Sequence, residues 1–276
     1  MRAVCQPRTV PRSRAASAAG IARVHIRNPA KHNALSVAMW HQLRAAFEQL
    51  QRTGAARVVL LAGEGAHFAA GGDIDEFPSF RFDARRLRAF HEDVVAPALR
   101  ALLGCDIPVV ACIAGSCIGG GLEIAGCCDL RIAAHGARFG IPIARLGFPL
   151  APSEAQIVAR VLGLPLLREL LLEARLLDAG EALARGIVDR VVAGGALAAE
   201  AQASGRRIAA LSPQAQRLNK RTLRQLAAGG PSAVQRHEHR HEAEDVLSEA
   251  DHRALTTRSA RAATARGCGT RGGRAR

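Results

Sequence analysis

The order of hydrophobic patterns predicts an α/β fold: a mainly parallel sheet covered on both faces, followed by a helical C-terminal region. Three observations carry that prediction. Short apolar runs of strand length alternate with longer amphipathic stretches from Ile21 to Val192. Two of the apolar runs, ending at Ala62 and Ile113, lead into glycine-rich loops. After Leu197 the pattern reads as helix. Strands that are apolar throughout and separated by helices are buried on both faces, as in parallel sheets.

Residues Ile21 to Ile26 alternate as a short strand, Asn28-Pro29 breaks it, and Ser36 offers an N-cap to a helix running to about Thr53. Arg57 to Ala62 (RVVLLA) is the next strand, ended by Gly63 and followed by a loop through Gly71-Gly72. A second long helix fills Ala84 to Leu103. Pro108 to Ile113 is a buried strand, and Gly115 to Gly121 reads as a loop running into a helix that begins near Gly119 or Gly120. Leu130 to Ala133 is a strand, Ser153 to Leu162 and Leu166 to Leu172 are amphipathic helices, and Ile187 to Val192 is a strand after a helix from Glu181 to Arg185. Pro213 starts a helix with Lys220 in its middle, Gly229-Gly230-Pro231 breaks it, and a charged helix reaches about Glu249. The final ALTTRSARAATARGCGTRGGRAR has no apolar period and is predicted to be disordered. The organisation expected is an extension over 1–19, a core over 20–196, a helical region over 197–250 and a basic tail over 251–276.

The chain has 276 residues, 49% of them hydrophobic, enough for one sizeable core with an appendage. Its net charge of +14 sits at the ends: eight Lys or Arg and no acid precede Glu48, and seven Arg and no acid follow Asp251. Residues 48–251 are left with one net negative charge, which argues against a reader of phosphate backbones, as does the absence of Tyr. Charged residues and glycines interrupt every apolar run before about 18 residues, so no membrane span is expected. The seven cysteines form no C-x-x-C pair, which points to a reducing cytoplasm and away from zinc or a redox disulfide. The acid-free MRAVCQPRTVPRSRAASAAG reads either as an organelle presequence or as a mis-started N terminus.

Neither glycine-rich loop is a phosphate cradle, because G-x-G-x-x-G and G-x-x-x-x-G-K-[ST] are both absent. Ser116 is not a hydrolase nucleophile either, since Gly115-Ser116-Cys117-Ile118-Gly119 lacks the G-x-S-x-G spacing. Two readings remain. The loops HFAAGGDI (from His67) and GSCIGGGLE (from Gly115) are tight turns and nothing more, or each brings a backbone N–H to one anionic oxygen. Glu123, in the first turn of the second loop's helix, is favoured there electrostatically whether or not it does chemistry. Within one turn of a donor near Gly120, its carboxylate is also a candidate acid/base.

These residues resemble the enoyl-CoA hydratase/isomerase, or crotonase, family over roughly Gly20 to Asp251. The likeness rests on Asn28-Pro29 with Asn33-Ala34-Leu35, on FAAGGDIDEF from Phe68 and on PVVACIAGSCIGGGLEIAGCCDLRIA from Pro108. Phe139-Gly140-Ile141-Pro142 and LLLEARLLDAGEALARGIVDRVV from Leu170 extend it. The resemblance implies a crotonase-like ββα spiral, an acyl-CoA thioester substrate and a homotrimer or dimer of trimers. It implies Gly72 and Gly120 as oxyanion-hole donors, Glu123 as the first catalytic carboxylate, and the backbone of Ala70, Gly72 and Ile74 as the seat of the adenine end of coenzyme A. Lys31 and Lys220 are either contacts to coenzyme A phosphates or exposed lysines. Coenzyme A enters as part of the substrate, and neither a metal nor a separate cofactor is expected.

The sequence departs from the family pattern in three places. Ile143 stands where hydratases carry a second Glu just after F-G-x-P, which puts two-carboxylate water addition in doubt. Glu154, close by on the next helix, is either a substitute for that carboxylate or, as expected, a solvated Glu in the helix's first turn. Asp75 replaces a frequent basic residue, while Asp73 and Asp129 read as loop-capping and strand-end residues. After about Arg253 the chain loses the family's aromatic-rich helix, suggesting a frame slip or a degenerate end. Three functions follow: an enoyl-CoA hydratase-like lyase, an enoyl-CoA double-bond isomerase, or a catalytically decayed coenzyme A-binding or oligomeric protein.

Overall fold

A computed structural model describes residues 20–229. Expectations for residues 1–19, the charged helix after Pro231 and the basic tail lie outside the described residues. Five parallel strands form the main sheet in the order β1-β2-β3-β5-β8: β1 Ile21–Ile26, β2 Val58–Gly63, β3 Val109–Ile113, β5 Leu130–Ala134 and β8 Arg190–Val192. A second, three-stranded sheet pairs β4 (Ser116–Ile118) parallel to β6 (Arg138–Gly140), and β6 antiparallel to β7 (Leu177–Asp178). Strand β4 lies inside the segment expected to be loop. Its three residues between glycines are too short to show alternation, and it exists because β6 supplies a partner.

Successive side chains of a strand point to opposite faces. Val59, Leu61, Val109, Ala111, Ile113 and Ala133 accordingly join the larger core, and Val58, Leu60, Val110, Ile132 and Ala134 the smaller one. The larger core is roofed by α1 (Val37–Thr53), whose buried Met39, Trp40, Leu43, Ala46 and Phe47 form one stripe. Ser36 caps α1, its Oγ accepting from Met39 N–H at 3.2 Å. Helix α8 (Leu197–Ala209) covers the smaller core, with Gly205 laid over Leu60. The described residues fall into two compact units, the first ending at Ala210 and the second beginning at Leu211 with α9 (Pro213–Ala227).

The segment expected as one helix from Ala84 to Leu103 has three parts: α2 (Ala84–Ala89), a π-helical turn (Phe90–Val95) and α3 (Ala96–Gly104). Ala96 N–H donates to His91 O, five residues back, which rotates the helix face relative to α periodicity. Later helices are α4 (Gly120–Gly126), α5 (Pro152–Leu162), α6 (Leu164–Leu172) and α7 (Ala179–Ala184). The N-P-x-x-x-N segment is a clamp. Buried Asn33 donates to the Glu64 and His67 carbonyls at 2.9 and 2.6 Å and accepts from Asn28 N–H at 2.8 Å, tying the turn after β1 to the loop after β2.

Candidate active site

The two glycine-rich segments run side by side. Ala69 bridges Cys117 in parallel, with Ala69 N–H on Ser116 O at 2.9 Å and Ile118 N–H on Ala69 O at 3.0 Å. That register carries Gly71 to Gly119, while Leu35 bridges Gly72 and its side chain would lie 3.0 Å from a Cβ on Gly120. At Gly71 (φ +101°) and Gly119 (φ +51°) the backbone is left-handed, and a Cβ on Gly119 would lie 3.7 Å from Gly71 Cα. The positive φ favours glycine at both positions, and a Cβ on Gly71 would lie a tight 3.3 Å from the Ile118 carbonyl oxygen. Gly71 O accepts from Leu35 N–H and Leu35 O accepts from Asp73 N–H, at 2.7 and 2.9 Å, while the Gly72 N–H between them donates to no carbonyl among the described residues. Gly120 is the first residue of α4, where the N–H has no partner within the helix.

Glu123 follows one turn later and is 4% exposed. Burial, and secondarily the charge of Glu154, hold its carboxyl well above the ordinary carboxylate range. Glu154 is the main correction to the sequence reading. It is 3% exposed, because it is in phase with Ile157 and Val158 on the buried stripe of α5. Its Oε1 is 2.7 Å from Nδ1 of His91, in the π turn. Ile143 opens a 3-10 turn (Ile143–Leu146) and is half-buried against the larger core.

Six of the eight phenylalanines lie between Phe77 and Phe148, and four of them, Phe77, Phe80, Phe90 and Phe148, are in ring contact. A Cβ on Gly72 would lie 3.1 Å from the Phe77 ring. Phe77 meets Phe80 and Phe148 at centroid distances of 5.7 and 5.4 Å, Phe80 stacks on Phe90 at 4.3 Å, and Phe90 meets His91 edge-on at 5.1 Å. Trp40 packs over Gly120 from the other side, its buried indole N–H without a partner among the described residues.

The remaining expected residues are spread more widely. Ala70 and Ile74 flank Gly72 on the first loop: Ala70 N–H donates to His32 O at 3.1 Å, and Ile74 is exposed at the start of a 3-10 helix. Lys31 Nζ bonds both oxygens of Asp73 and one of Asp75 at 2.7–2.8 Å, and these carboxylates, Asp73 foremost, push its pKa up to about 12. A coenzyme A phosphate at Lys31 would compete with two carboxylates. Lys220 is buried on α9, in the second unit, and so is not an exposed lysine. Asp73 caps the 3-10 helix through Asp75 N–H, and Asp129 accepts from Val109 N–H at 2.7 Å at the start of β3. Sequence reasoning missed His91, since nothing local marks a π turn. It also missed the stack of His32 on His67 at 4.0 Å, where burial and then His32 push the His67 pKa down. No cluster of three or more metal-ligating side chains occurs among the described residues.

Comparison with known proteins agrees with this geometry. Residues 16–261 match the enoyl-CoA hydratase/isomerase family. A Mycobacterium leprae protein named probable enoyl-CoA hydratase is 34% identical over 200 residues, 72% of this chain and 76% of its own. The mitochondrial Delta(3,5)-Delta(2,4)-dienoyl-CoA isomerase of Mus musculus is 31% identical over 62% of this chain and 55% of its own. The crystal structure of an enoyl-CoA hydratase/carnithine racemase from Magnetospirillum magneticum superposes with a TM-score of 0.76 at 40% identity, covering 79% of this chain and 82% of that one. The spiral of short ββα units that delivers two glycine loops to one buried glutamate is thus a crotonase fold, and the chain belongs to the enoyl-CoA hydratase/isomerase family.

Proposed function

We propose that the protein adds water to the double bond of a 2-enoyl-CoA thioester. In this reading the thioester oxygen is bound by the N–H groups of Gly72 and Gly120, and Glu123 is an acid/base at the acyl chain. The observation that carries it is the in-register approach of the two glycine segments with a buried, neutral-leaning carboxyl one turn beyond Gly120. Donors fixed before the reaction stabilise charge that develops on the enolate oxygen, and loss of one such donor costs about 3 kcal/mol of barrier. The backbone of Ala70, Gly72 and Ile74 would receive the adenine end of coenzyme A, with Lys31 as a candidate phosphate contact. Coenzyme A belongs to the substrate, so the reaction asks for no further cofactor. The family likeness also supports a homotrimer or dimer of trimers.

A second reading, double-bond isomerisation, is favoured by Ile143, because a single acid/base suffices to take a proton at one carbon and return it at another. Incubation with crotonyl-CoA and longer 2-enoyl and 3-enoyl-CoA esters in oxygen-18 water separates the two. Hydration places label in a 3-hydroxyacyl-CoA and falls about 100-fold or more in Glu123→Gln. Unlabelled double-bond migration would assign an isomerase. Thioesters bound but unchanged would mark a decayed site.

A further inference from the structure

We infer that Glu154, oriented by His91, is the second acid/base of the site and replaces, from a different helix, the carboxylate that is missing at Ile143. The inference rests on the hydratase reading above and adds to it the group that activates water.

A chain of contacts links the glycine donors to both carboxyls. From Gly72 it passes to Phe77 (3.1 Å from a Cβ there), Phe80, Phe90 and His91, each ring touching the next. His91 Nδ1 leads to Glu154 at 2.7 Å. Helix α5, which carries Glu154, packs on α4, where a Cβ on Gly126 would lie 3.1 Å from Val161 Cγ2. Glu154 is close enough for its charge to act on Glu123, and Glu123 returns the path to Gly120. Apart from the Gly126–Val161 contact between the two helices, the groups along this path are the glycines, aromatic rings, an imidazole and two carboxyls. An acyl chain whose oxygen sits at the glycines therefore has Glu123 and Glu154 as its acid/base neighbours.

The two carboxyls differ in environment, which divides their roles. Glu123 has no donor among the described hydrogen bonds, and its burial raises its carboxyl pKa, whereas Glu154 lies 2.7 Å from His91 Nδ1, assigned here as the donor. Glu154 takes a proton from water as the water oxygen bonds to Cβ. The π electrons move to the thioester oxygen at the two N–H groups, and the enolate collapses as Cα takes the proton of Glu123. Passage of the proton from Glu154 to Glu123 restores the starting state, so one water is consumed and no other reagent is needed.

The test measures two reactions on the same protein: oxygen-18 hydration of crotonyl-CoA, and exchange of the α-hydrogens of butyryl-CoA with deuterium from solvent. Exchange uses the glycine donors and the ionised form of Glu123, which takes the α-proton as the enolate forms, exchanges it with solvent and returns a deuteron. Glu154→Gln is expected to lose hydration about 100-fold or more and keep exchange within about threefold, and Glu123→Gln to lose both. His91 is a positioning residue. His91→Asn, which keeps a donor, retains most hydration, and His91→Phe loses it while exchange persists. Hydration unchanged in Glu154→Gln, with exchange and hydration both present in the wild type, overturns the assignment alone. A wild type inert in both reactions overturns the hydratase reading and this assignment with it.

Discussion

Glu123 is a carboxylic acid withdrawn from water beside a second carboxyl, and its effect on stability has a definite sign. Its folded pKa is raised above the unfolded value near 4.5, so above that value the folded state holds a proton that the unfolded state releases. Stability therefore falls as pH rises from the ordinary carboxylate range toward the folded pKa. Glu123→Gln removes that dependence. Melting temperatures of the two proteins should lie close together near pH 4.5 and diverge toward pH 8, with Gln the more stable by about 2–4 °C for each kcal/mol of desolvation relieved. A gap that stays constant with pH would show that Glu123 is not held neutral. At this scale much of the site was legible. The glycine pairs and Glu123 one turn beyond Gly120 could be singled out, with tight turns and a first-turn Glu as the competing account, and the structure brings the two glycine segments side by side with Glu123 buried. Glu154 was misread as solvated, although its spacing to Ile157 and Val158 places it on the apolar stripe. A polar residue in phase with such a stripe is buried unless another rule intervenes.

Among the elements, the helical segment from Ala84 to Gly104 holds the least legible feature. Its hydrophobic pattern fits a continuous helix, yet α3 buries Ala98, Leu99 and Leu102 in the larger core while α2 buries no residue, and the π turn joins the two. The inserted register aims Phe90 and His91 at the site. Deleting Asp93, an exposed residue of that turn, would restore α periodicity and rotate His91 away from Glu154. We expect the deletion variant to retain its helical circular dichroism while its crotonyl-CoA hydration falls to the level of His91→Phe. A variant as active as wild type would remove the π turn from the mechanism. Strand β4 carries the complementary lesson. Its loops were visible as glycine, but its pairing with β6 depends on residues more than twenty positions away, which no local pattern encodes.

In the whole molecule, alternation of faces along the central strands divides the apolar residues between two cores, and the sequence showed this as uninterrupted apolar runs. Among the described residues no helix is long and apolar enough to cross a membrane. Charge follows a similar division, since the excess of Arg lies before Glu48 and after Asp251 while the body between them is nearly neutral. Substrate recognition by that body then depends on local donors more than on a long-range field, and added salt should affect it weakly.

The bridge between Ala69 and Cys117 fixes the two glycine segments during folding, well before any thioester arrives. Order and hydrogen-exchange protection therefore part company here. The amides of Gly72 and Gly120 sit on a rigid ladder, yet each lacks a carbonyl partner, so in the free protein they should trade hydrogen for deuterium far faster than the bonded amides of Ala69 and Ile118 beside them. Addition of a slowly turned-over acyl-CoA should protect those two glycines selectively, leaving a two-amide footprint that reports an occupied oxyanion hole without requiring any turnover.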